Sequence, residues 1–136
     1  NFVPAMKSFA FDHGFSDRLL FFGFQSEIES WIAACDLTLS TSVGEGFGRV
    51  LAESMAVGTP VLASNSGGHK EIVHHDVNGL LAPPEDPTAI ARLVTTYITD
   101  PQLRKRVISA GLKSVKKYDV IQHTGRIMSV YKEVLR

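Results

Sequence analysis

Thr38-Leu39-Ser40-Thr41-Ser42-Val43-Gly44-Glu45-Gly46-Phe47-Gly48-Arg49-Val50-Leu51-Ala52-Glu53 is the stretch that decides the fold. A β-rich apolar run over 37–40 ends in small hydroxyl residues and a glycine-rich turn, and a helical pattern over 48–57 follows at once. Glycines let a backbone approach a ligand closely, and a helix N-terminus offers unpaired N–H groups with positive partial charge. Two carboxylates, Glu45 in the turn and Glu53 on the helix, stand eight positions apart. An anionic ligand bearing sugar hydroxyls suits this arrangement, with phosphate at the helix end and hydroxyls on the carboxylates.

Outward from that stretch, helix and strand signals alternate. Residues 4–13 put Met6, Phe9 and Ala10 on one helical face, and Gly14 is a natural stop. The apolar run 19–22 has strand length and is closed by Gly23. Ser26-Glu27-Ile28-Glu29 reads as a capping box opening a helix to about Ala34. Gly58-Thr59-Pro60 breaks the 48–57 helix before a strand at 61–63, a second small-residue loop at 64–68 and a short helical segment at 70–74. After a turn at 76–79, Leu80-Leu81 is a brief strand ended by Pro83-Pro84. Asp86-Pro87 and Asp100-Pro101 are matched helix starts, each an N-cap acid followed by proline at the first helical position. Ile90, Leu93, Val94, Tyr97 and Ile98 form an amphipathic stripe, and Asp119 opens a last helix to about Leu135. Short apolar strands between helices imply an α/β fold, a doubly wound parallel sheet with ligands bound beyond the carboxyl ends of its strands.

Bulk properties narrow the function. With 136 residues the chain is one domain or a piece of one, and its opening on Asn1 rather than methionine leads us to expect a piece. The 14 basic and 14 acidic residues cancel, so no nucleic-acid partner is expected. The basic residues of 104–117 recur at helical spacing and read as a solvated face. No apolar run reaches the about 18–20 residues of a membrane span. The lone Cys35 excludes an internal disulfide, fits a reducing compartment, and reads as a buried core thiol. None of the five histidines has metal-ligand spacing, so no metal is expected. The dinucleotide fingerprint also fails, because Leu51 stands where its third glycine belongs and no acid ends the strand at Ala63. Glu53 lies in a small, apolar stretch of helix, where a buried acid would need a partner, and the alternative is a solvent-facing glutamate.

In series, these residues resemble the carboxyl-terminal, donor-binding domain of retaining GT-B glycosyltransferases of family four. Glu45-Gly46-Phe47-Gly48 and Glu53-Ser54-Met55-Ala56 look like its Glu-x7-Glu motif. Leu19-Leu20-Phe21-Phe22-Gly23 looks like the strand and loop before the nucleotide base, and Ala33-Ala34-Cys35-Asp36 the turn before the central strand. Gly58-Thr59-Pro60-Val61, Gly67-Gly68-His69-Lys70-Glu71, Asn78-Gly79-Leu80-Leu81 and Asp86-Pro87 complete the order.

The resemblance implies a Rossmann-like half of a GT-B fold and a chain that binds a nucleotide-sugar, UDP- or GDP-linked, as substrate, with no other cofactor. Glu45 would contact the donor sugar as the catalytic carboxylate, assisted by the N–H groups of Phe47 and Gly48 beside Gly46. Arg49, Val50 and Leu51 would present N–H groups to the diphosphate, Glu53 would hold the ribose, and Gly23, Phe24 and Gln25 would line the base. A same-face mechanism is expected, in which the leaving diphosphate helps deprotonate the acceptor and its electrostatic stabilisation is the protein's main contribution. The expected place is the cytoplasm, free or at the inner face of the membrane. Two departures stand out: Thr41 where the family often has proline, and Ser54 where it has alanine. Two strands with a basic diphosphate clamp and an amino-terminal acceptor domain are expected to lie outside the chain, leaving a gap in the sheet.

Overall fold

The computed structural model describes residues 2–135. Its elements are α1 (Val3–Asp12), α2 (Ile28–Ala33), β1 (Thr38–Ser40), α3 (Arg49–Ala56), β2 (Val61–Ser64), α4 (His69–Ile72), β3 (Leu80–Ala82), α5 (Pro87–Thr99), α6 (Pro101–Ser114) and α7 (Val120–Val134). Short 3-10 turns occupy Ser16–Arg18 and Val115–Tyr118. The three strands are parallel in the order β1-β2-β3, with Leu39 opposite Leu62 and Leu62 opposite Leu80. Parallel neighbours require crossover connections, which α3 and α4 provide.

Strand β2 shows why both faces of the sheet are covered. Its side chains alternate, and all of them are buried. Leu62 packs on one face with Leu80, Ala82, Tyr97, Leu103 and Val107, under α5 and α6. Val61 and Ala63 pack on the other with Leu51, Met55, Ile72 and Val73, under α3 and α4. The doubly wound α/β expectation holds. Tyr97 sits so deep that burial pushes its phenol above the ordinary range, against the opposing pull of Arg104, whose guanidinium lies 5.8 Å from the ring centroid. Asn78 closes the turn before β3: its Oδ1 accepts from His74 N–H at 2.6 Å and its Nδ2 donates to the Ile72 carbonyl at 2.9 Å.

Helix starts at the acids form as expected. Asp86 Oδ1 accepts from Ala89 N–H at 2.8 Å, and Asp100 Oδ1 accepts from both Gln102 and Leu103 N–H at 2.9 Å. Asp119 does the same for α7, accepting from Ile121 N–H at 2.9 Å.

Five expectations are corrected. Residues 19–22 form no strand, and Leu20 and Phe22 are exposed. A strand exists through its ladder, and among the described residues none lies beside this run. The capping box is absent because Glu27, not Ser26, is the residue before α2, and no side chain caps that end. Cys35 is exposed: α2 buries only Ile32, and the thiol lies beyond the helix end with Sγ donating to the Trp31 carbonyl at 3.3 Å. Ile98 faces solvent, one helical step round from buried Tyr97, while Ile90, Leu93 and Val94 pack inward. On α1 only Ala10 is buried, and its neighbours Met6 and Phe9 are exposed.

Candidate functional site

The turn between β1 and α3 is fixed by backbone contacts that only glycine permits. Gly48, the residue before α3, is left-handed at φ 82°, and a Cβ there would stand 2.9 Å from the His69 ring. The turn also lies directly on the second glycine loop. Gly68 N–H donates to the Glu45 carbonyl at 2.8 Å, and Gly44 N–H donates to Ser66 Oγ at 3.3 Å. A Cβ on Gly67 would come within 2.5 Å of the Glu45 carbonyl, and one on Gly68 would overlap the Gly46 carbonyl. The two loops therefore form one unit at the carboxyl ends of β1 and β2. That is the edge of a parallel sheet where ligands bind.

Around this unit the expected site residues separate into distinct environments. Glu45 is exposed, and its Oε2 accepts from Ser42 Oγ at 3.3 Å. Phe47 packs edge-on against Tyr118 at 5.3 Å between ring centroids, and the Tyr118 hydroxyl donates to the Glu71 carbonyl at 3.3 Å. Leu51 is fully buried, and its N–H donates to the Gly48 carbonyl at 2.9 Å. The amides that the start of α3 can offer an anion thus narrow to those of Arg49 and Val50, which have no intrahelical acceptor.

Glu53 is neither deeply buried nor unpartnered. Its side chain is 32% exposed and accepts from Arg49, itself 83% exposed, with Arg49 Nη2 at 3.1 Å from Oε1. An exposed pair one helical turn apart is worth only about 0.3–0.5 kcal/mol, so a ligand can displace Arg49 at little cost. The carboxylate stands in the wall of an open groove of about 530 Å³ between α3, the Val115–Tyr118 turn and α7. Next to it, Ser54 is fully buried, 2.9 Å from Thr38 Oγ1 and 2.6 Å from the Val50 carbonyl. The extra hydroxyl at this position is therefore satisfied inside the fold.

Gly23, Phe24 and Gln25 lie apart from this unit. Gly23 has φ 64°, Phe24 is 93% exposed, and Gln25 Nε2 donates to the Phe22 carbonyl at 2.7 Å. Among the described residues no hydrogen bond or ring contact joins them to the Glu45 turn.

Sequence reasoning missed the polar centre beneath the turn. His69, with Ser40, Ser42 and Ser64, forms a connected cluster there, and His69 is 0% exposed. The Ser-x-Ser at the end of β1 and a histidine leaving the second glycine loop were the available signals. Only the parallel register, which sets Ser40 opposite Ala63, brings them together.

Comparison with known proteins agrees with this geometry. The family model described as Glycosyl transferases group 1 matches residues 5–114. A D-inositol 3-phosphate glycosyltransferase from Thermobispora bispora is 37% identical over 112 residues, which are 82% of this chain and 26% of that protein. The structure of HepE from Anabaena in complex with UDP superposes with a TM-score of 0.92 at 33% identity, over 96% of this chain and 36% of that one. The same protein in complex with UDP-glucose superposes with a TM-score of 0.90. The C-terminal domain of the group 1 glycosyl transferase LpcC from Francisella tularensis aligns with a TM-score of 0.80 at 32% identity, over 88% of this chain and 63% of that one. The chain spans between 24% and 39% of the length of the curated relatives it matches. It belongs to the group 1 glycosyl transferases and carries a Rossmann-like α/β half of their GT-B fold.

Proposed function

We propose that this chain is the donor-binding part of an enzyme that transfers a sugar from a nucleotide-sugar to an acceptor with retention of configuration. One observation carries the reading: the glycine turn holding Glu45 is clamped backbone-to-backbone on a second glycine loop, immediately before a helix start. Glu45 contacts the transferred sugar, with help from the N–H groups of Phe47 and Gly48. The amides of Arg49 and Val50 face the diphosphate, and Glu53 turns from Arg49 to the ribose hydroxyls. Gly23, Phe24 and Gln25 line the base once the rest of the protein is in place.

The chemistry asks little covalent work of these side chains. As the bond between sugar and diphosphate breaks, negative charge grows on the leaving group, and preorganised N–H donors at the helix start stabilise it. The leaving diphosphate itself receives the acceptor proton. No metal and no second cofactor enter this scheme. Acceptor binding and a basic clamp on the diphosphate come from other parts of the enzyme, which also cover the apolar surfaces of α1 and α7. In this reading the enzyme works in the cytoplasm, free or at the inner face of the membrane, and the lone cysteine fits such a reducing compartment.

The test uses the intact enzyme. Calorimetric titration with UDP- and GDP-linked sugars identifies the donor. Glu45→Gln is expected to lower turnover about 100-fold while nucleotide affinity stays within about 3-fold. Glu53→Ala is expected to weaken nucleotide binding about 10-fold, the loss of one hydrogen bond to a charged group. Unchanged rate and binding in both variants sinks the assignment. Product analysis without acceptor separates transfer from epimerisation of the donor.

A further inference from the structure

We propose that His69 is a positioning residue that aims the Glu45 carboxylate through the hydroxyls of Ser40 and Ser42, an inference that rests on the reading of Glu45 as the donor contact. A fully buried imidazole is costly unless its nitrogens are bonded, and both are. His69 Nδ1 lies 3.1 Å from the Ser64 carbonyl and 3.1 Å from Ser64 Oγ. His69 Nε2 lies 3.3 Å from Ser40 Oγ and 3.5 Å from Ser42 Oγ.

These partners set the direction of every proton in the cluster. A carbonyl only accepts, and the Ser64 hydroxyl already donates to the Ser42 carbonyl at 2.5 Å. Nδ1 therefore carries the hydrogen, and in the neutral ring Nε2 presents a lone pair. Ser40, the nearer hydroxyl, donates to that lone pair. Ser42 has one O–H, and with Nε2 occupied by Ser40 it is left to donate to Glu45 Oε2 at 3.3 Å. The ring also fills the space beneath Gly48, so it touches the turn on both sides of Glu45. A change at His69 thus reaches the carboxylate without touching the donor.

Histidine variants distinguish this role from packing. Asparagine places an amide near the Nδ1 position and leaves the Ser40 hydroxyl free to turn to Ser42 Oγ, 3.5 Å away, whereas glutamine reaches the Nε2 position and keeps Ser40 donating there. In the intact enzyme, UDP-glucose and GDP-mannose are tested in parallel, with release of the nucleoside diphosphate read for kcat and donor KM. His69→Asn is expected to lower kcat about 10-fold with donor KM within about 2-fold, the pattern of a misplaced reacting group. His69→Gln is expected to recover kcat to within about 3-fold of the parent. Ser42→Ala, a change in an exposed loop that leaves the core intact, is expected to reproduce the Asn defect. Combining it with His69→Asn is expected to add nothing further.

Parent-like kcat in Ser42→Ala, or in a folded His69→Asn, overturns the proposal. Equal losses in the Asn and Gln variants that track their thermal stability overturn it as well. Glu45→Gln measured alongside keeps the two readings apart. If it turns over like the parent, the donor reading and the role of His69 both fall. If it loses turnover while His69→Asn does not, only the role of His69 falls.

Discussion

The two ends of the chain are more apolar in sequence than its middle, yet they bury far less of that surface. Between β1 and α6, every residue of β2 is buried, and Leu62 is 0% exposed between two helical layers. In α7, Val120, Ile121, Ile127, Met128, Tyr131 and Val134 form a comparable stripe, and no residue of the helix is buried. The 2–24 segment repeats the pattern, with Phe2, Phe11, Phe22 and Phe24 all exposed. Amphipathic periodicity announces that a face wants cover, but it does not say what supplies the cover. The clamped glycine loops lie in the well-covered middle, so the proposed sugar, diphosphate and ribose contacts stand on the part of the chain whose geometry its own packing determines. The base contacts at Gly23, Phe24 and Gln25 do not.

The sharpest way to break the comparison is to remove the same kind of side chain from each region. Leu62→Ala deletes a fully buried side chain from the cluster it forms with Leu80 of β3, Tyr97 of α5 and Val107 of α6, and is expected to cost about 3 kcal/mol in urea unfolding. A loss below about 1 kcal/mol would mean that the middle is as loosely held as the ends. Gly68→Ala follows with about 2 kcal/mol, because its Cβ falls on the Gly46 carbonyl and the Phe47 backbone. Its distinguishing sign is that the Glu45 turn moves, so nucleotide binding weakens along with stability.

These contrasts also explain what was legible in the sequence. The strand-turn-helix around Glu45, the parallel sheet and the acid-proline caps at Asp86 and Asp100 are local patterns with local causes, and each formed as read. The failures share the opposite property. Residues 19–22 have strand composition but no ladder partner among the described residues, and the environment of Cys35 depended on what α2 would pack against. Glu53 read either as a buried acid in need of a partner or as a solvent-facing glutamate, and it is in between: half-buried, with Arg49, one helical turn earlier, reaching it across the surface. His69 was illegible for a third reason: its partners are 29, 27 and 5 residues away, and only strand register assembles them.

A smaller effect sharpens the boundary between the regions. Asp100→Ala removes the oxygen that accepts from two amides at the start of α6, whose inner face holds Leu103 and Val107 in the core. About 1 kcal/mol is expected, read as a shift in urea midpoint at constant slope. Because α6 is anchored by buried side chains, the lost cap is expected to act locally and leave the cooperative transition single.

The smallest effect carries the comparison outward. Val134 is 76% exposed at the end of α7, so Val134→Ala in this 136-residue chain removes almost no buried surface. Its expected cost is within about 0.5 kcal/mol, the range of ordinary surface substitutions. The same substitution in the intact enzyme is expected to cost more, about 1 kcal/mol, if the other parts of the protein cover the α7 stripe as proposed. Urea unfolding of both forms, with and without the substitution, gives that difference directly. Equal costs in the two contexts would leave α7 uncovered in the whole protein as well, and the exposed ends would then be a lasting surface of the molecule.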